Sequence, residues 1–90
     1  MLILRIKKIW LDKILSGEKT IEYREFNDYY QKRFKKQYNA VKFLCGKIIC
    51  VFEILKINTV NNGDLGNKKQ FAIYLGDKLD EQSRQTRIRS

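Results

Sequence analysis

Gly17-Glu18-Lys19-Thr20-Ile21-Glu22-Tyr23-Arg24 sets two cations and a carboxylate at intervals of three and two residues. Side chains of these types can recognise a polar or anionic ligand. Lys19 and Arg24 would meet phosphate or a base edge, while Glu22 accepts hydrogen bonds or fixes Arg24 in place. Strand side chains alternate faces, so Thr20, Glu22 and Arg24 are expected together on one face. Ile21 and Tyr23 then pack a core on the other, with Lys19 at the turn beside them. Two structural roles compete with ligand contact. One is a surface ion-pair ladder, worth about 0–1 kcal/mol per pair. The other is an anchor, in which Glu22 and Arg24 hold the first helix through buried hydrogen bonds.

The rest of the inventory excludes more than it offers. The chain has no histidine, and Cys45 and Cys50 lack ligand spacing. A zinc site and imidazole catalysis are therefore excluded, and neither metal nor cofactor is expected. The thiols read as buried and free, as in a reducing compartment. Without an apolar run long enough to span a bilayer, or a signal-type h-region, a cytoplasmic protein with no membrane partner is expected. Glu53 interrupts an apolar run and must be paired with Arg5 or Lys56, face solvent, or face a cleft.

Ninety residues make one small domain with a single modest core. Nineteen Lys and Arg against ten Asp and Glu give +9, which favours a polyanionic partner such as nucleic acid. A solubility surplus is the plain alternative. From Tyr29 to Lys47 the cations Lys32, Arg33, Lys35, Lys36, Lys42 and Lys47 occur with no acid, which makes them candidate backbone contacts. Tyr29 and Tyr38 interleave with them, where aromatic faces can stack bases. Tyr30 reads as core.

These groups need elements to position them. Leu2 to Ile6 reads as a buried strand, and residues 7–16 carry a helical apolar stripe through Trp10 and Ile14. Gly17 suits a left-handed helix stop. Residues 20–25 read as a strand, then a second helix capped by Asn27 or Asp28 runs to about Lys36 with Tyr30 and Phe34 inward. Residues 40–45 alternate as a half-buried strand, Gly46-Lys47 turns, and residues 48–57 form a central strand. Residues 58–69 hold loop chemistry and residues 71–75 the last strand. Residues 1–78 form the domain and 79–90 a loose tail. The order β-α-β-α-β-β-β indicates an α+β fold whose sheet curls toward a barrel.

The spacing Gly17-x-Lys19-x-x-Glu22-x-Arg24 resembles the Gly-x-Lys-x-x-Glu-x-Arg signature of the ASCH domain, placed after the first helix as in that family. Residues 10–16, 46–54 and 71–76 resemble its first helix, central strand and closing strand, so the likeness covers about residues 1–78. The resemblance implies a small PUA-like β-barrel of about five strands with two flanking helices. It also implies RNA binding, or a nucleotide-like ligand, in a cleft between the first helix and the barrel. Gly17, Lys19, Glu22 and Arg24 are then the ligand site, and Glu53, Tyr29 and Tyr38 possible cleft residues.

An enzymatic branch of the family hydrolyses N4-acetylcytidine with a Lys, a Thr and a Glu. Its threonine lies three residues after the motif lysine, where this chain has Glu22, and Thr20 would point elsewhere by alternation. The segment corresponding to its acid contains only Asp64. Binding is therefore expected ahead of catalysis. A nucleic-acid-related hydrolase (amidohydrolase or ribonuclease) and a protein-interaction module are the alternatives.

Overall fold

Alternating apolar residues dictate most of the sheet. The computed structural model describes residues 1–79. The elements are β1 (Leu2–Arg5), α1 (Lys8–Leu15), β2 (Ile21–Glu25), α2 (Asp28–Arg33), β3 (Ala40–Cys45), β4 (Ile48–Val60) and β5 (Gln70–Lys78). The expected α+β order is therefore present. Beyond Leu79, whose N–H donates to the Val51 carbonyl at 2.6 Å, the tail lies outside the described residues.

The five strands form one sheet in the order β1-β3-β4-β5-β2, with β1 parallel to β3 and the other pairs antiparallel. Leu2, Leu4 and Ile6 are buried while Ile3 and Arg5 are exposed, so β1 is a one-sided edge strand. The β4–β5 ladder shifts register between Phe52 and Ile54 and again before Lys56. Such irregularities bend a strand and sharpen its twist. The sheet consequently curls into a half-barrel. Its two edges approach so closely that Arg24 on β2 donates from Nη2 to the Arg5 carbonyl on β1 at 2.9 Å.

The concave side holds the core: Leu2, Leu4, Val41, Phe43, Phe52, Ile54, Ile73 and Leu75 from the strands, with Leu11 and Ile14 from α1. Burying a leucine of this kind is worth about 1.5–3 kcal/mol, which is what holds a two-turn helix against the sheet. Gly17 follows α1 at φ +85°, and the Lys19 N–H returns to the Lys13 carbonyl at 2.9 Å. Lys19 is thereby fastened to the end of α1.

Asn27 caps α2 by accepting from the Tyr30 N–H at 2.9 Å. The helix ends at Arg33, short of Lys36, with Phe34 as its C-cap and the Phe34 ring edge-on to Phe71 at 4.8 Å. Tyr30 stacks on Phe34 at 5.5 Å, and both pack against the core. β4 runs past Ile57 to Val60, since Asn58, Thr59 and Val60 pair with Ala72, Phe71 and Gln70. Asn58 and Thr59 have polar side chains that read as loop, although the backbone of all three residues continues the ladder.

Candidate functional site

The face assignment on β2 is the reverse of what alternation alone indicates. Glu22 is 5% exposed, whereas Ile21 and Tyr23 are half-buried and lie outside the core cluster. A carboxylate tolerates such burial only when paired and hydrogen-bonded. Arg24 supplies that pairing, with Nε 2.9 Å and Nη2 2.8 Å from Oε2. Lys19 Nζ lies 3.6 Å from Oε1. Arg24 further donates from Nη1 to the Tyr30 hydroxyl at 3.1 Å and covers that ring. Glu22 and Arg24 therefore join β2 to α2 and to the β1 edge, rather than to α1. Arg24 has most of its donors engaged by protein.

Lys19 occupies a different environment. Its Nζ bonds Asp64 Oδ2 at 2.5 Å and sits 5.2 Å from the ring centroids of both Trp10 and Tyr23. Two carboxylates and two aromatic faces thus surround the Lys19 side chain. Beside it opens a cavity of about 300 Å³ lined by Trp10, Lys13, Glu18, Lys19, Thr20, Ile21, Tyr23 and Asp64. Lys13 and Glu18 form a second matched pair at 3.8 Å. Thr20 reaches the same cavity as Lys19. It precedes β2, so strand alternation does not govern it, and its carbonyl is held by the Leu75 N–H at 3.0 Å.

Asp64 is delivered by a loop that is itself built around a buried side chain. Gln70 is 0% exposed; its Nε2 donates to the Gly66 and Lys68 carbonyls, and its Oε1 accepts from the Leu65 N–H. Gly63 and Gly66 exchange backbone bonds at 3.3 and 3.0 Å. A Cβ at Gly63 would collide with Gln70 and the Tyr23 ring, so the loop packs directly on the cavity wall. Sequence reading did not single out Gln70 or Trp10 for the site. A polar residue opening an apolar strand was the available signal for Gln70.

The basic stretch does not form one surface element. Lys32, Lys35 and Lys36 are exposed on and just after α2. Arg33 instead donates to the Tyr29 hydroxyl at 2.8 Å and to the Ile3 carbonyl at 2.9 Å, covering the β1 edge. Lys42 sits within β3 between Ile3 and Val51, and Lys47 lies in the β3–β4 turn. Tyr29 is exposed beside Arg33, and Tyr38 packs partly buried against the core.

Glu53 pairs with neither Arg5 nor Lys56. It lies in the irregular part of the β4–β5 ladder, where its Oε1 accepts from the Asp77 N–H at 3.3 Å. The carboxylate replaces a ladder bond that the register shift removes. Cys45 and Cys50 are free, the first half-buried and the second buried. Among the described residues no helix is long and apolar enough to cross a membrane, and no acid-and-cysteine cluster could hold a metal.

Compared with known proteins, the chain matches no family model and no curated protein.

Proposed function

We propose that this chain is a minimal ASCH-like domain on a PUA-like barrel that binds RNA or a nucleotide-like ligand beside Lys19. The observation that carries this reading is the cavity of about 300 Å³ between Trp10 and Tyr23, with Lys19 and Asp64 at its wall. Its size is at the lower end of ligand sites and suits one base or nucleoside. Aromatic surface beside fixed donors and acceptors recognises an unpaired base by stacking and edge contacts. The Lys19–Asp64 and Lys13–Glu18 pairs leave the lining without net charge, so this cleft favours a base over a bare phosphate. Exposed Lys32, Lys35 and Lys36 supply salt-dependent attraction to the backbone. A cytoplasmic setting accords with the two free thiols.

Filter binding of single-stranded RNA at two salt concentrations tests the reading. Trp10→Ala and Asp64→Asn should weaken binding at both, whereas charge reversal of Lys32, Lys35 and Lys36 should matter most at low salt. Binding that is absent, or indifferent to all of these changes, removes the proposal.

One observation favours a hydrolase as the second reading. Asp64 stands against Lys19, and Thr20 lines the same cavity, so an acid, an ammonium and a hydroxyl converge. In that chemistry Asp64 accepts a proton from the attacking water, and Lys19 stabilises the oxyanion formed at the amide carbonyl. The C–N bond breaks as Asp64 returns that proton to the departing amine; with Thr20 as nucleophile, water then hydrolyses the acyl ester. Incubation with N4-acetylcytidine and with labelled RNA tests it, using Asp64→Asn as the control. Unchanged substrate at high protein concentration eliminates it.

A further inference from the structure

The larger cavity, about 590 Å³, lies elsewhere, and its lining is charged with one sign. Arg5, Lys7 and Lys47 border it over an apolar floor of Ile6, Leu44 and Ile49. The fold assembles this trio from three places. Arg5 ends β1 opposite Leu44, Lys7 begins the turn into α1, and Lys47 follows Gly46, whose φ of +60° makes the β3–β4 turn. Lys8, Lys13 and Lys19 each meet a carboxylate, but among the described residues Arg5, Lys7 and Lys47 form no salt bridge. The lining contains no acid. Three uncompensated cations around one concavity repel each other and create a positive field focused by the apolar walls.

We infer that the Arg5–Lys7–Lys47 cavity is a phosphate-binding site, separate from the cleft beside Lys19, for an organic phosphate ester. A phosphate group brings enough negative charge and acceptor oxygens to engage all three cations. The floor of Ile6, Leu44 and Ile49 favours an ester over inorganic phosphate, because Ile49 is 54% exposed and gains cover from the organic part. The ester is either a free nucleotide or a phosphodiester of an RNA strand. This inference does not depend on the base-binding role of the other cleft.

The test is an NMR titration of the amides of Gly46 and Lys47, paired with calorimetry. The probes are inorganic phosphate, a nucleoside 5′-monophosphate, the same nucleoside without phosphate, and a single-stranded oligoribonucleotide. The monophosphate or the oligonucleotide should shift both amides, and Lys7→Glu and Lys47→Glu should each weaken that binding about tenfold or more. Lys56→Glu, at an exposed β4 position that lines neither cavity and with the same change in net charge, should weaken it about twofold or less. Response to the monophosphate identifies a nucleotide site; response to the oligonucleotide alone identifies a backbone site, and both support the inference. The unphosphorylated nucleoside reports the Lys19 cleft and should be indifferent to Lys7→Glu and Lys47→Glu, so the two sites fail separately. Unshifted amides with every probe, or an equal loss in Lys56→Glu, overturn the inference.

Discussion

Lys19 and Asp64, forty-five residues apart in sequence, meet through a 2.5 Å ion pair at the rim of the Trp10–Tyr23 cavity. Neither residue is delivered by a strand. The Gly17 turn returns Lys19 to the end of α1, and Gln70 holds the loop carrying Asp64. Because Asp64 is 41% exposed, solvent screens the pair, and Asp64→Asn should cost about 1 kcal/mol or less of stability. Its effect on ligand should be larger, about tenfold in affinity for a base-containing ligand, since a carboxylate with two acceptor oxygens, fixed by Lys19, becomes a neutral amide with one acceptor and a donor. Urea denaturation and a nucleoside titration on the same variant separate the two. A large stability loss with unchanged binding would make Asp64 a purely structural residue.

Glu22 is a different case. At 5% exposure between Arg24 and Lys19, it neutralises two cations that would otherwise face each other inside the protein. Glu22→Gln should therefore destabilise by about 3–5 kcal/mol, the cost of leaving a buried pair half-removed. Lys19→Met in the same background should recover part of that loss, because one of the stranded cations is gone. Chemical denaturation of the single and double variants gives the coupling. A Glu22→Gln loss below about 1 kcal/mol contradicts the burial argument.

The contrast between these two carboxylates explains how far the sequence could be read. Element order follows from local signals: alternation in residues 40–45, the helix stop at Gly17 and the Asn27 cap all act within a few residues. The inward side of β2 does not. Alternation fixes that Glu22 and Arg24 share a face, but which face is buried depends on the curl of the sheet and on α2 covering Arg24. The Asp64 contact is likewise invisible locally, because a loop of Asn, Gly and Asp reads the same wherever its tip points. Net charge conceals a similar distinction, since Arg33 and Lys32 are adjacent cations with unrelated roles.

Gln70 should behave as the organiser of the Asp64 loop. Gln70→Leu keeps the volume but leaves the Leu65 N–H and the Lys68 carbonyl without their partner, while the Gly66 carbonyl keeps the Gly63 N–H, at about 1–3 kcal/mol for each stranded group that water cannot reach. Hydrogen exchange at residues 63–68 should accelerate beyond what the global stability loss explains, and affinity at the Lys19 cleft should fall. Exchange that rises uniformly over the whole chain would assign Gln70 to general stability alone.

The adjacent cations on α2 give the last prediction. Arg33 donates to Tyr29 and to the Ile3 carbonyl on the open edge of β1, while Lys32 is exposed. Arg33→Ala should cost about 1–2 kcal/mol and uncover an unpaired strand edge, raising the tendency to self-associate. Lys32→Ala should change stability by about 0.5 kcal/mol or less. For nucleic acid the order reverses: Lys32→Ala should reduce the salt slope of RNA binding by about one phosphate contact. Arg33→Ala, at protein concentrations where it stays folded and monomeric, should leave that slope nearly unchanged. Denaturation, light scattering and salt-dependent binding on the two variants complete the comparison. An equal loss of salt slope would place Arg33 on the nucleic-acid face despite its two protein contacts.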